Sequence, residues 1–207
     1  GHTLGWSQFE LIDPDLGGGT GSNTGLGTRG LFGGSGDPSS GRDDILFLTV
    51  STLGDTQVFG ELSSAKYATA GLGSRTRGVF AGGYNPAQVN VIEFVSFASL
   101  GDVIDFGDTY KAIEGMEGLA SSTRGLIMGG QNPSGTNNTI SFVTISTTGD
   151  SVNFGDMQSP RHTFATGSNS TRGMIGGGRT PDTASGINTI DFITIATLGD
   201  AQNFGDL

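Results

Sequence analysis

Four times along this chain a Thr-Arg-Gly opens the same series of landmarks, at Thr28, Thr76, Thr123 and Thr171, spaced 48, 47 and 48 residues apart. A Gly-Asp follows at Gly54, Gly101, Gly149 and Gly199, and then a Phe-Gly at Phe59, Phe106, Phe154 and Phe204. Landmarks in constant order at one period mark a tandem array, in which each copy buries its apolar faces against its neighbours. The fold must therefore be assembled from four near-equivalent pieces over residues 28–207. Residues 1–27 form an irregular segment outside the period. Within it Trp6-Ser7-Gln8-Phe9-Glu10-Leu11 alternates like a strand and is a candidate closing strand.

Each copy reads as strands separated by turns. An apolar pair such as Val79-Phe80 runs into Gly-Gly, and a polar loop of variable length follows. Then comes the strongest strand signal, at 45–51, 92–98, 140–146 and 190–196, rich in β-branched and aromatic residues. The Gly-Asp marks a tight turn, and the Phe-Gly closes the next strand. Small-residue segments such as 68–73 and 118–121 supply a fourth short strand. Glycine interrupts every candidate segment and no 3.6-residue stripe persists, which argues against helical repeats.

In Ile140-Ser141-Phe142-Val143-Thr144-Ile145 apolar side chains fall on both faces, so both need cover. Four-stranded units covered on both faces by their siblings are the blades of a propeller. The expected fold is all-β: a β-propeller of four blades, one per 48-residue period. Membership of a larger propeller and a β-solenoid are the alternatives. Solenoid rungs run nearer to ~20 residues, which places that reading last.

Composition narrows the partners. Twenty acids against ten Lys and Arg give a net charge of −10, which argues against nucleic acid and anionic membrane. No apolar run approaches the ~18 residues of a spanning helix, so no membrane insertion is expected. The 38 glycines show no Gly-X-Y period, which excludes collagen. There is no cysteine, hence no disulfide framework and no thiol chemistry.

A catalytic residue is needed once, whereas a residue that returns in every copy holds the unit together. On that argument Arg29, Arg77, Arg124 and Arg172 are structural, as are the turn aspartates Asp55, Asp102, Asp150 and Asp200. Each guanidinium is expected to fork onto a repeated carboxylate or onto turn carbonyls. The Gly-Gly pairs lack the Gly-Lys-Ser of a phosphate loop. His162 has no companion at metal-ligand spacing, and no Gly-x-Ser-x-Gly elbow occurs. Residues 37–44 hold three aspartates without the dense alternation of a calcium loop. No catalytic residue, metal or cofactor is expected. Paired carboxylates of a glycosidase or lyase are the enzymatic alternative, and nothing singles out a pair.

The loops after Gly-Gly break the repeat. They carry Asp37, Arg42, Asp43, Tyr84, Asn85, Gln131, Asn132, Arg179 and Asp182, and should emerge together at one end because they join equivalent strands. Amides, acids, arginines and a tyrosine suit hydrogen bonding and stacking to a sugar or a protein surface. These are the candidate ligand-binding residues.

The Gly-Gly after an apolar pair, the turn, and the later aromatic followed by Gly-Asp-Leu or Gly-Asp-Met resemble the kelch repeat. The nearest stretch is Met157-Gln158-Ser159-Pro160-Arg161-His162 through Gly177-Gly178. Two departures are that Phe59, Phe106, Phe154 and Phe204 replace the kelch tryptophan, and that an Arg precedes the Gly. The whole set, Thr-Arg-Gly, Gly-Gly, Asn-Thr-Ile, Thr-Ile, Gly-Asp and Phe-Gly-Asp, more closely resembles repeats of bacteriophage tail and tail-fibre proteins. That resemblance covers residues 28–207. It implies a virion or extracellular location, with other tail or virion proteins as partners. It also implies a non-enzymatic module that binds a cell-surface glycan or protein, or a purely structural spacer.

Overall fold

The computed structural model describes residues 29–34, 36–37, 40–181 and 186–207; the candidate closing strand lies outside them. The described residues are all-β, with short antiparallel sheets and no helix. Sheet I holds β1 (Arg29–Phe32), β2 (Gly36–Asp37), β3 (Ser40–Thr49) and β4 (Gln57–Lys66), with β3 paired to the other three. Sheet II runs in chain order through β5 (Ala70–Gly73), β6 (Arg77–Ala81), β7 (Val91–Ser96) and β8 (Ile104–Asp108). In sheet III, β9 (Glu117–Ala120) and β10 (Arg124–Met128) precede a small hairpin of β11 (Gln131–Asn132) and β12 (Gly135–Thr136). The sheet is completed by β13 (Thr139–Thr144) and β14 (Val152–Asp156). Sheet IV repeats the order with β15 (Ala165–Ser168), β16 (Arg172–Gly176), β17 (Thr189–Thr194) and β18 (Gln202–Asp206).

The long strands of sheets II to IV end two residues before the alternation does. The carbonyls of Ser96, Thr144 and Thr194 accept turn bonds from Ser99, Thr147 and Thr197. Phe97, Ile145 and Ile195 bond instead to the carbonyls of Thr76, Thr123 and Thr171. The pattern of side chains continues while the ladder has already turned away.

The Phe-Gly landmark marks a β-bulge. Ile92 pairs with Gly107 and Glu93 with Asp105, so Phe106 is the extra residue; Phe59, Phe154 and Phe204 are extra in the same way. A bulge re-aims its side chain. Here it turns each Phe edge-on to a Phe of the neighbouring strand. Phe47–Phe59 and Phe94–Phe106 have ring centroids 5.9 and 5.8 Å apart, both at 85°. Such pairs add ~0.5–1.5 kcal/mol beyond their buried area.

Both faces of the middle sheets are covered. From sheet III, Val143 and Ile145 join a cluster with Leu72, Val79 and Phe94 of sheet II. Ile140 and Phe142, on its other face, pack in a cluster with Ile175, Ile193 and Ile195 of sheet IV. Phe80 and Val95 of sheet II similarly meet Ile45, Phe47, Phe59 and Leu62 of sheet I. The sheets therefore stack in the order I, II, III, IV. Each fully buried Ile or Phe contributes ~1.5–3 kcal/mol.

Two polar devices recur at each junction. At the outer edge, the Gly-Asp turn of one sheet seats on the Phe-Gly-Asp strand of the sheet before it. Gly101 N–H donates to Phe59 O (2.9 Å), Val103 N–H to Glu61 O (3.0 Å), and Asp102 Oδ1 accepts from Glu61 N–H (3.0 Å). The same three bonds join Gly149, Ser151 and Asp150 to Phe106 and Asp108, and join Gly199, Ala201 and Asp200 to Phe154 and Asp156. The backbones touch so closely that a Cβ on Gly107 would come 2.5 Å from Gly149.

Nearer the middle, the repeated arginines cross the junctions. Arg29 donates to Phe97 O (2.8 Å), Arg77 to Ile145 O (2.9 Å) and Arg124 to Ile195 O (2.8 Å). Each lies over a Phe of its own sheet, Arg77 being 4.3 Å from the Phe94 centroid. The acceptors are backbone carbonyls. The turn carboxylates of Asp102, Asp150 and Asp200 accept backbone N–H groups instead.

Candidate functional site

Antiparallel order puts every Gly-Gly at one end of its sheet and every Gly-Asp turn at the other. At the Gly-Gly end the residue following the pair reaches back to the connection that enters its sheet. Tyr84 bonds reciprocally with Tyr67, Gln131 with Glu114, and Arg179 with His162, all through backbone N–H and carbonyl groups 2.8–3.3 Å apart. These three bridges share one backbone frame and present three different side-chain pairs.

The frame is held tightly. The residue after each bridge, Ala68, Gly115 or Thr163, has φ of 56°, 64° or 54°. Glycine adopts that conformation freely; alanine and especially β-branched threonine do not. Strain of this kind costs ~1–3 kcal/mol and persists only where the surroundings over-determine it. Gly115 N–H donates to Ala68 O (2.9 Å), and a Cβ on Gly115 would lie 3.9 Å from that of His162. The three bridges therefore follow one another closely.

Tyr67 and Tyr84 lie with ring centroids 5.3 Å apart, tilted by 37°. The Gln88 amide, from the sheet II loop, donates to Glu114 Oε1 (3.0 Å) and so links the first bridge to the second. His162 Nδ1 is 2.9 Å from Thr163 Oγ1. The resulting face offers an aromatic pair, an amide–carboxylate pair and a His–Arg pair on a stiff support. Beneath each bridge the preceding residue is buried: Lys66, Ile113 and Arg161. Lys66 pairs with Glu93, and Arg161 with Asp191 (2.5 Å).

Of the loop residues expected from sequence, Tyr84, Gln131 and Arg179 stand at these bridges. Asn85 is exposed at the loop tip beside them, and Asn132 Oδ1 caps its hairpin by accepting from Ser134 N–H (2.9 Å). Arg42 and Asp43 lie on β3, where Arg42 pairs in register with Lys66 and donates to Asp44 (3.1 Å). The backbone of Asp37 is in β2; its side chain, and all of Asp182, lie outside the described residues. Tyr67, Glu114, His162 and Gln88 complete the face, and the loop pattern did not select them. Their shared sequence signal is position: Tyr67, Glu114 and His162 each stand three residues before a short strand, β5, β9 and β15, in three successive copies, and Tyr67 is in addition one of only three tyrosines.

Two ionisable groups elsewhere are displaced by burial. Desolvation pushes the Glu117 carboxyl of β9 up to about 7, and the Tyr110 hydroxyl is likewise raised. Among the described residues no three His, Cys, Asp or Glu side chains converge as a metal site. Shallow clefts lie under the Gly-Asp turns, one of about 240 Å³ lined by Phe47, Thr49 and residues 52–57. Comparison with protein-family models and with curated proteins finds no match to this chain.

Proposed function

We propose that the four sheets are blades of a kelch-like β-propeller, and that the Gly-Gly end is a non-enzymatic recognition face. The module belongs to an assembly of the phage tail or tail-fibre type and reads a surface glycan or protein. One observation carries the reading: three bridges with the same backbone geometry display Tyr–Tyr, Glu–Gln and His–Arg. A repeat kept only for packing has no need to vary at a rigid position whose side chains, Arg179 apart, are half-buried and still reach solvent, whereas a binding face does. The tilted tyrosine pair suits the apolar face of a sugar ring, and the amide–carboxylate pair suits vicinal hydroxyls.

A glycan array probed with the chain, followed by calorimetry on any hit, tests this. Binding that falls about tenfold or more in Tyr84→Ala and Gln131→Ala, with Asn203→Ala at the far edge unchanged, supports it. Binding indifferent to all three substitutions sinks it. The structural-spacer reading has its own support in the junction bonds, which run in one direction from sheet to sheet; it expects no ligand at all.

The same bonds bear on blade number. Among the described residues, sheets I and IV do not make with each other the junction that joins I to II, II to III and III to IV. This favours a larger ring, to which these sheets contribute four blades.

A further inference from the structure

We infer that a second copy of this chain seats head to tail on the first, through a fourth instance of the junction that already occurs three times within it. Sheet IV presents one half. Among the described residues, a Cβ on Gly205 would meet nothing within 4 Å, where Gly60, Gly107 and Gly155 each abut the turn of the next sheet. Phe204 is 57% exposed against 2% for Phe59. Arg172 lies over Phe192 (4.9 Å) but, among the described residues, has no carbonyl from a following sheet.

Sheet I presents the other half. Among the described residues, Gly54, Asp55 and Thr56 make none of the bonds that their counterparts in sheets II to IV make. Val50, whose carbonyl matches the acceptors of the other arginines, is 66% exposed, and Phe32 is 54% exposed where Phe80 is buried. Among the described residues, the atoms nearest a Cβ on Gly30 belong to Leu48 and Val50 of its own sheet, where Gly78, Gly125 and Gly173 each receive a leucine from the sheet before.

The occupant is specified by the three filled junctions. It must bring a Gly-Asp turn with a free carboxylate and two N–H donors to the Phe204 edge, and a Phe-Gly-Asp edge with an arginine to the other. This chain carries both surfaces, at opposite ends. Such a contact is heterologous, so it closes a ring of two copies or continues as a longer array.

The test is solution mass by light scattering across concentration, for the parent, for Asp55→Arg and for Phe204→Glu, each checked for folding by circular dichroism. If Phe204→Glu does not fold, Arg172→Glu, at an exposed position where its counterparts cross to the next sheet, replaces it. The parent is expected to exceed its 21.1 kDa chain mass. Each variant should associate about tenfold more weakly or worse. Mixing the two variants, each with one intact half, should restore a dimer and nothing larger. A parent that is monomeric at every concentration overturns the inference, whether its ends meet within one chain or another segment covers them. Variants that associate as the parent does, or a mixture that stays monomeric, overturn it equally.

Discussion

The junction between sheets II and III and its two flanking junctions are built on the same backbone, yet they fill one buried position differently. Between I and II it holds Lys66 with Glu93, and between III and IV it holds Arg161 with Asp191; all four side chains are buried. Between II and III the same places hold Ile113 and Ser141, the latter donating to Ile127 O (3.3 Å). The fold therefore tolerates an ion pair or a neutral pair at one site. Ion pairing is not what makes the junction form. Two charges drawn out of water must recover their desolvation from each other and from added hydrogen bonds. Arg161 does so incompletely: it reaches Gly177 O (3.2 Å), Ser159 Oγ (3.3 Å) and Asp191, but among the described residues its Nε has no acceptor. Burial accordingly pulls the Arg161 guanidinium down and pushes the Asp191 carboxyl up, each opposed by the partner's charge.

Breaking one charge should have the largest effect. Asp191→Ala strands Arg161 and is expected to cost about 3–5 kcal/mol in urea unfolding, whereas Ser141→Ala at the neutral junction should cost ~1 kcal/mol. Equal losses at the two sites would mean that the charges are not truly buried. Transplanting the neutral pair, Arg161→Ile with Asp191→Ser, should leave stability unchanged or raise it by as much as ~1–4 kcal/mol. A large loss in that double variant would instead show that the ion pair specifies the junction.

The repeated arginines give a smaller contrast. Arg124→Ala removes a charge-assisted bond across a junction and should cost ~1.5–3 kcal/mol. Arg172→Ala removes a stacked contact alone, worth ~0.5–1 kcal/mol. Measured on the monomer by thermal unfolding, indistinguishable values would contradict the unequal roles read from the geometry.

The smallest expected effect concerns Glu117, which stands where sheets II and IV carry Ala70 and Ala165. Its folded pKa of about 7 lies above the ordinary 4.5, so the folded state favours the protonated form. Its favourable contribution is complete below pH 4.5 and is lost as pH rises through about 7. Partial solvent access makes the loss smaller than the shift alone implies. Melting temperature followed across that window should decline, and Glu117→Gln should flatten the decline. An unchanged slope in the variant would assign the effect elsewhere.

Much of this architecture is legible along the chain. The alternation in Ile140–Ile145 foretells two covered faces, and those faces do fall in two different clusters. The arginines are legible as structural because they recur, but their acceptors are not. Ile145 O lies 68 residues from Arg77 and is a backbone atom, which no side-chain type announces. The proposed recognition face divides the same way. Tyr84, Gln131 and Arg179 stand out as breaks in the period. Tyr67, Glu114 and His162 reach them through backbone bonds that any residue can make.

What the amino-acid order determined by itself is the unit: its period, its strands and turns, and the apolar content of both faces. These are local properties, written in spacings of two residues within a strand and in glycines where the chain must turn or approach closely. Only the tertiary structure decided which carbonyl each arginine meets, which side chains share a bridge, and that, among the described residues, the outer faces of sheets I and IV do not meet each other. Those outcomes depend on main-chain groups brought together across dozens of residues, and, proline's missing N–H apart, main-chain groups are the same in every amino acid.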